Sequence, residues 1–123
     1  MLAKMLNIIQ NGYEYYFPEV TVRNVGFSTI ILDILWKENL IKGYTVMDDG
    51  SLKVLLRYHE GVPICKRLVL LSKPGDRFYL SALDISRVPY HFGVLIVSTP
   101  KGIMIGKEAV RRGSGGEVLA YVE

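Results

Sequence analysis

Ser98-Thr99-Pro100-Lys101-Gly102-Ile103-Met104, then Lys107-Glu108-Ala109-Val110-Arg111-Arg112, then Gly113-Ser114-Gly115-Gly116-Glu117-Val118-Leu119-Ala120-Tyr121-Val122 make up most of the last stretch of the chain. An apolar strand, Gly93 to Val97, runs straight into the paired hydroxyls, the proline, the lysine and the glycine. Pro100 and Gly102 set a turn after that strand. Gly106 to Arg112 then reads as a short helix and Gly116 to Val122 as a final strand. The strand end thus offers hydroxyl donors and acceptors, exposed backbone amides and one positive charge. Folded nucleic acid suits such a surface, because hydroxyls and main chain read base and sugar edges while lysine meets phosphate.

Upstream, the pattern predicts two small α/β subdomains, an α+β fold overall, divided as residues 1–60 and 61–123 at Glu60-Gly61-Val62-Pro63. Leu2, Met5, Leu6 and Ile9 recur at helical spacing, so the first helix ends near Asn11-Gly12. Tyr16 to Val22 reads as a strand, at an edge because of Pro18. Ser28 to Asn39 reads as a second helix with Ile30, Ile31, Ile34 and Leu35 as its buried stripe. Tyr44 to Met47 and Leu52 to Tyr58 flank Asp48-Asp49-Gly50-Ser51, a hairpin turn. In the second unit Ile64 to Leu71 and Arg77 to Leu80 read as strands and Ala82 to Arg87 as a short helical turn. That unit is mainly β.

At 123 residues, half of them apolar, the chain can bury a core. No segment approaches the ~18–20 apolar residues that span a bilayer, and the start of the chain has neither a signal-peptide pattern nor an arginine-rich presequence. Cys65 is the single cysteine, which excludes an internal disulfide and leaves, with His59 and His91, too few ligands for a structural metal. Cys65 is expected to pack in a strand, in a reducing compartment. The net charge of +3 is uneven: residues 1–65 carry −1 and residues 66–123 carry +4. A basic second half points to a polyanion contact made there, although a merely solvated basic face has the same composition.

The candidate residues each carry a blander reading. Ser98-Thr99-Pro100-Lys101 fits the S-x-x-K pattern of serine enzymes, but that chemistry needs both groups on one helix, and the partner motifs are absent. Gly113 to Gly116 follows a helix and opens a strand, the reverse of a phosphate-gripping loop, so it reads as a helix cap and a close backbone approach. Lys107 and Arg111 lie four apart on one helix face, and beside Lys101 they and Arg112 read as phosphate contacts rather than solvated charge. Lys73 and Arg77 flank a Pro-Gly turn with the same two readings. Tyr13, Tyr15 and Tyr16 either stack on bases or pack the first helix, and packing is the better reading. Trp36 and His91 read as partly buried core or linker residues.

The Ser-Thr-x-Lys-Gly-Ile-Met run, the basic helix and the Gly-Gly-Glu-Val-Leu-x-Tyr-Val ending resemble the C-terminal signature of the small-subunit ribosomal protein eight family, in its bacterial and organellar form. The resemblance continues through Ser72-Lys73-Pro74-Gly75-Asp76-Arg77-Phe78-Tyr79 and Ala3-Lys4-Met5-Leu6-Asn7-Ile8-Ile9-Gln10-Asn11. It implies a structural, non-catalytic protein that binds the central domain of small-subunit ribosomal RNA early in assembly, beside neighbouring small-subunit proteins. Neither a cofactor, a metal, a membrane nor a small-molecule substrate is implied. Ser98, Thr99 and Gly102 would then meet bases and sugars, and Lys101 the phosphates. Lys73, Arg77, Lys107, Arg111 and Arg112 would add backbone charge, with Gly115 and Gly116 in a loop near RNA. Two departures stand out: Pro100 replaces a usual second serine, and Arg23-Asn24-Val25-Gly26 replaces a basic Pro-Ser-Ser-Lys segment. With the low basicity they favour the mitochondrial matrix over a bacterial cytoplasm. The alternative function is a small non-ribosomal protein-binding module that uses the apolar strands and tyrosines.

Overall fold

The computed structural model describes residues 2–88 and 93–123, so His91 lies outside the described residues. The fold is α+β, and the chain divides into units Met1–Lys66 and Arg67–Glu123. Val62-Pro63, inside the segment expected to be the boundary, pairs with Tyr58-His59 in a two-stranded ribbon and so stays with the first unit.

In the first unit, α1 (Leu2–Glu14) lies against β1 (Glu19–Val22), and α2 (Ser28–Lys37) against β2 (Gly43–Val46). With β3 (Leu52–Leu55) the strands form an antiparallel sheet in the order β1-β3-β2, so the edge position expected for the Pro18 strand is found. The ribbon strands are β4 (Tyr58–His59) and β5 (Val62–Pro63). α1 runs two residues past Gly12 rather than ending there. Gly12 is a packing residue, because a Cβ on it would stand 2.5 Å from Val20 Cγ1. The buried stripe of α2 is Ser28, Ile31, Leu32 and Leu35, so Ile31 and Leu35 of the expected stripe are buried while Ile30 is exposed and Ile34 only half-buried. Apolar residues occur all round this helix, so hydrophobicity alone could not orient it. Ser28 does, since its buried hydroxyl donates to the Arg23 carbonyl at 2.8 Å and accepts from the Val25 N–H at 3.0 Å.

Three helices end in one way. The residue after the cap takes a left-handed conformation and the next N–H reaches back to close the last turn. After α2 that residue is Asn39 (φ 61°), and after α4 (Gly106–Arg111) it is Gly113 (φ 65°). After α1 it is Tyr16 (φ 59°), with Phe17 N–H on the Gly12 carbonyl at 2.8 Å and Tyr16 N–H on the Tyr13 carbonyl at 3.2 Å. Glycine and asparagine accept this conformation readily, whereas a tyrosine there costs roughly 1–2 kcal/mol. The expected strand from Tyr16 therefore starts only at Glu19. Of the three tyrosines expected to pack α1, Tyr13 is buried, but Tyr15 and Tyr16 are exposed. The Tyr13 hydroxyl donates to the Leu40 carbonyl and accepts from Arg57 N–H, and burial pushes its pKa up to about 12. Trp36 is half exposed with its ring edge on Tyr44, and Cys65 is buried outside any strand.

In the second unit β10 (Gly116–Val122) is the central strand. It pairs with β6 (Leu68–Leu70) and β7 (Tyr79–Leu80) on one side and with β8 (Val94–Thr99) on the other, all antiparallel. β9 (Gly102–Ile105), not expected from sequence, adds to β8 across the Pro100-Lys101 turn. α3 (Ala82–Ser86) and α4 contribute Ile85 and Ala109 to a core with Leu95, Val97, Met104 and Val118. Ile64 to Arg67 lies outside strand β6, and the Ser81 hydroxyl caps α3 by accepting from Asp84 N–H at 3.1 Å.

The β8–β10 contact leaves no room at its glycine end: a Cβ on Gly116 would stand 2.1 Å from the Ser98 carbonyl oxygen, whereas one on Gly26 would meet nothing within 4 Å. Gly116→Ala is therefore expected to lower unfolding free energy by about 2 kcal/mol or more, and Gly26→Ala to leave it within about 1 kcal/mol. Urea denaturation of both variants measures the difference.

Candidate nucleic-acid interface

The turn after β8 is built by Thr99. Its buried hydroxyl donates to the Gly102 carbonyl at 2.8 Å and accepts from Lys101 N–H at 3.1 Å. Gly102 closes the turn at φ 124°. The one hydroxyl proton of Thr99 is thus committed inside the protein. Ser98 points to the opposite sheet face. It is half-buried, and among the described residues its hydroxyl has no hydrogen-bond partner.

Register aligns a row across that face. Ser98 stands opposite Ile103 on one side and Glu117 on the other, and Glu117 stands opposite Tyr79. Directly opposed side chains share a face, with Cβ atoms about 5 Å apart. Tyr79 is exposed, and the sequence, which places it in the Arg77-to-Leu80 strand and the Ser72-to-Tyr79 match, does not mark it as a site residue. Its position two strands from Ser98 follows from β7 pairing with β10, which no local pattern reveals.

The Gly113–Gly116 loop meets this same sheet end. Gly113 caps α4, with Ser114 N–H on the Ala109 carbonyl at 2.9 Å and Gly113 N–H on the Val110 carbonyl at 3.0 Å. Gly115 passes Leu80 so tightly that a Cβ would stand 2.4 Å from its carbonyl oxygen. The Lys101 ammonium lies 3.5 Å from the Arg112 carbonyl at the end of α4. Hydroxyl turn, glycine loop and helix C-terminus therefore converge, and the cap and close approach expected of these glycines are both present.

The basic residues do not all join them. β9 carries the chain about 13 Å away from the turn, at ~3.3 Å per residue. Lys107 consequently sits at the other end of β8, around a small notch lined by Gly93, Val94, Leu95, Ile105 and Gly106. Arg111 and Arg112 both bind Glu108, Arg112 Nε at 2.9 Å from Oε1, which sequence reading of the helix as purely basic overlooked. Arg77 pairs with Glu117 at 3.1 Å. Glu117 also accepts from the Ser72 hydroxyl, and that bond, followed by Arg77, holds its carboxyl below the usual range. Lys73 is exposed on the 73–76 turn, where Lys73 and Asp76 exchange backbone hydrogen bonds of 3.1 and 2.9 Å.

Ser98 lies in a strand and Lys101 in a turn with its amine on a carbonyl, so they form no nucleophile–base pair. Among the described residues no three His, Cys, Asp or Glu side chains gather in a way that could hold a metal, and no helix is long and apolar enough to cross a membrane. The chain matches the family model for ribosomal protein S8 over residues 1–122. It is 38% identical to the small ribosomal subunit protein uS8 of Rhodospirillum centenum, over 98% of this chain and 95% of that protein. To the uS8 of Fervidobacterium nodosum it is 37% identical, over 98% and 96%. The chain belongs to the ribosomal protein S8 family, a family of ribosomal structural proteins and not of enzymes.

The arginine pair makes a pH prediction. Hydrogen bonds from Arg111 and then Arg112 hold the Glu108 carboxyl down at about 2. The pairing is complete above the ordinary carboxylate range and is lost as pH falls towards that value. An NMR titration of the Glu108 carboxyl carbon should give a midpoint far below normal, and Arg111→Ala with Arg112→Ala should bring it back to the ordinary range.

Proposed function

We propose that this chain is a structural constituent of the small ribosomal subunit that binds the central domain of small-subunit rRNA directly and supports its assembly and translation. Family membership supports the ribosomal role. The observation that carries direct RNA binding is the half-buried Ser98 hydroxyl, without a partner among the described residues, at a sheet end shared by Lys101 and the Gly113–Gly116 loop. Ser98, Gly102, Gly115 and Gly116 meet base and sugar edges there, and Lys101 meets phosphate. Thr99 holds the turn and offers RNA its remaining lone pair. Lys73 and Lys107 add charge at the margins, and Arg77, Arg111 and Arg112 reach phosphate while still paired to carboxylates. Small-subunit proteins flank the bound chain. Both relatives named above are bacterial, so the mitochondrial matrix rests on low basicity and the two sequence departures, with no support from the relatives.

RNA affinity measured against salt tests the proposal. The log–log slope should correspond to roughly four to six neutralised phosphates; a slope near zero would sink RNA as the main partner. Lys101→Ala should weaken binding by roughly 1–2 kcal/mol with the melting temperature nearly unchanged. Ser98→Ala should weaken binding and blunt discrimination between cognate and mismatched RNA while stability holds. Thr99→Val should instead cost stability, about 1–2 kcal/mol, through its two lost hydrogen bonds. Equal losses of stability in both hydroxyl variants would make the strand end scaffolding alone. Glu108→Gln releases two arginines and should tighten binding and steepen the slope by about one to two units.

A further inference from the structure

Four aromatic rings of the first unit form a surface that the RNA-binding reading does not use. Tyr15, Tyr16 and Phe17 are 66%, 63% and 50% exposed. Tyr16 stacks on Tyr58 with ring centres 6.1 Å apart and planes 19° apart, and Tyr15 leans on Phe17 at 6.1 Å. The Tyr58 hydroxyl donates to the Phe17 carbonyl at 2.5 Å, joining the two pairs. Tyr13 below is fixed by edge contact with Tyr58 at 5.7 Å, so the platform is rigid.

The backbone shows that the rings are not incidental. Tyr16 occupies a left-handed helix-end position that the same chain fills with asparagine after α2 and glycine after α4. Either residue would close α1 without strain, so a tyrosine there gives up stability and gains an exposed ring. The charge nearby selects the partner. Residues 13–19 and 57–63 contain Glu14, Glu19 and Glu60 against Arg57, and with Glu19 paired to Lys53 at 3.5 Å, Glu14 and Glu60 remain against that one arginine, a balance that does not favour phosphate. Tyrosine faces beside exposed carboxylates are complementary to arginine and lysine side chains, which lie flat on the rings.

We propose that Tyr15, Tyr16, Phe17 and Tyr58 form a docking platform for an arginine-bearing segment of another protein. The platform belongs to the first unit, and the proposal does not depend on RNA binding at the Ser98 end of the second.

The test follows tyrosine ring protons of the full chain by NMR during titration with three probes: a short peptide alternating arginine and glycine, its glutamate counterpart, and an oligouridine. The arginine peptide should shift the Tyr16 and Tyr58 rings saturably, and the glutamate peptide should not. Tyr16→Gly, which relieves the left-handed strain, should melt no lower than the parent yet bind the arginine peptide about fivefold more weakly, the scale of one exposed cation–π contact. Tyr15→Ser should also weaken it. Undiminished binding in both variants, no ring shift with the arginine peptide, or a stronger effect of oligouridine on these same rings would overturn the proposal. Oligouridine shifts confined to residues of the second unit would bear on the RNA reading and leave the platform intact.

Discussion

The backbone of Gly116 runs so close to the carbonyl of Ser98 that no side chain fits between them. That contact starts the pairing of β10 with β8 and fixes where the Gly113–Gly116 loop must lie. The loop in turn fixes the end of α4, and the Arg112 carbonyl there receives Lys101 from the β8–β9 turn. Ser98 presents its hydroxyl on the face away from the core because its neighbours Val97 and Thr99 are committed to the other one. A polar edge is thus a by-product of a tightly packed strand pair, positioned by glycines that bring nothing but backbone.

Much of this was legible in the sequence because it is local. The amphipathic α1, the 48–51 hairpin turn and strand Gly116–Val122 follow from spacing and turn residues, and the cap at Gly113 follows from a glycine placed after a helix. Long-range pairing was not legible. Nothing near Tyr79 announces that it lies in line with Ser98, and four residues between a turn and a helix were too few to declare β9. The orientation of α2 was missed because apolar residues surround it, and a buried serine made the choice. Gly12 was misread as a stop because a glycine kept for close packing looks the same in sequence as one kept for its backbone freedom.

Counted as charges, the second unit is strongly basic; counted as unpaired charges, it is less so. Glu108 occupies two arginines and Glu117 a third. Exposed pairs of this kind contribute little to stability, but they hold the guanidinium groups in fixed geometry. Phosphate approaching such a pair competes with a carboxylate, so part of the electrostatic gain is withheld from any polyanion of the wrong shape. Lys101 differs: it lies against a carbonyl with no counter-charge among the described residues, and its full charge is available. Composition records the number of cations and is blind to this distinction.

The strand at the centre of the second sheet is also the last one in the order of elements. Its partners β6 and β7 are made some forty to fifty residues earlier in synthesis, as the register Val122↔Leu68 and Glu117↔Tyr79 records. In the first unit the β2–β3 hairpin can zip from its own turn as soon as both strands exist. In the second unit the β8–β9 hairpin is local, whereas among the described residues β6 and β7 pair with β10. Sheets closed by distant pairing form slowly. Folding in step with synthesis would leave the edges of β6 and β7 bare until β10 is made. An RNA or chaperone that engages this intermediate meets a surface different from that of the finished protein.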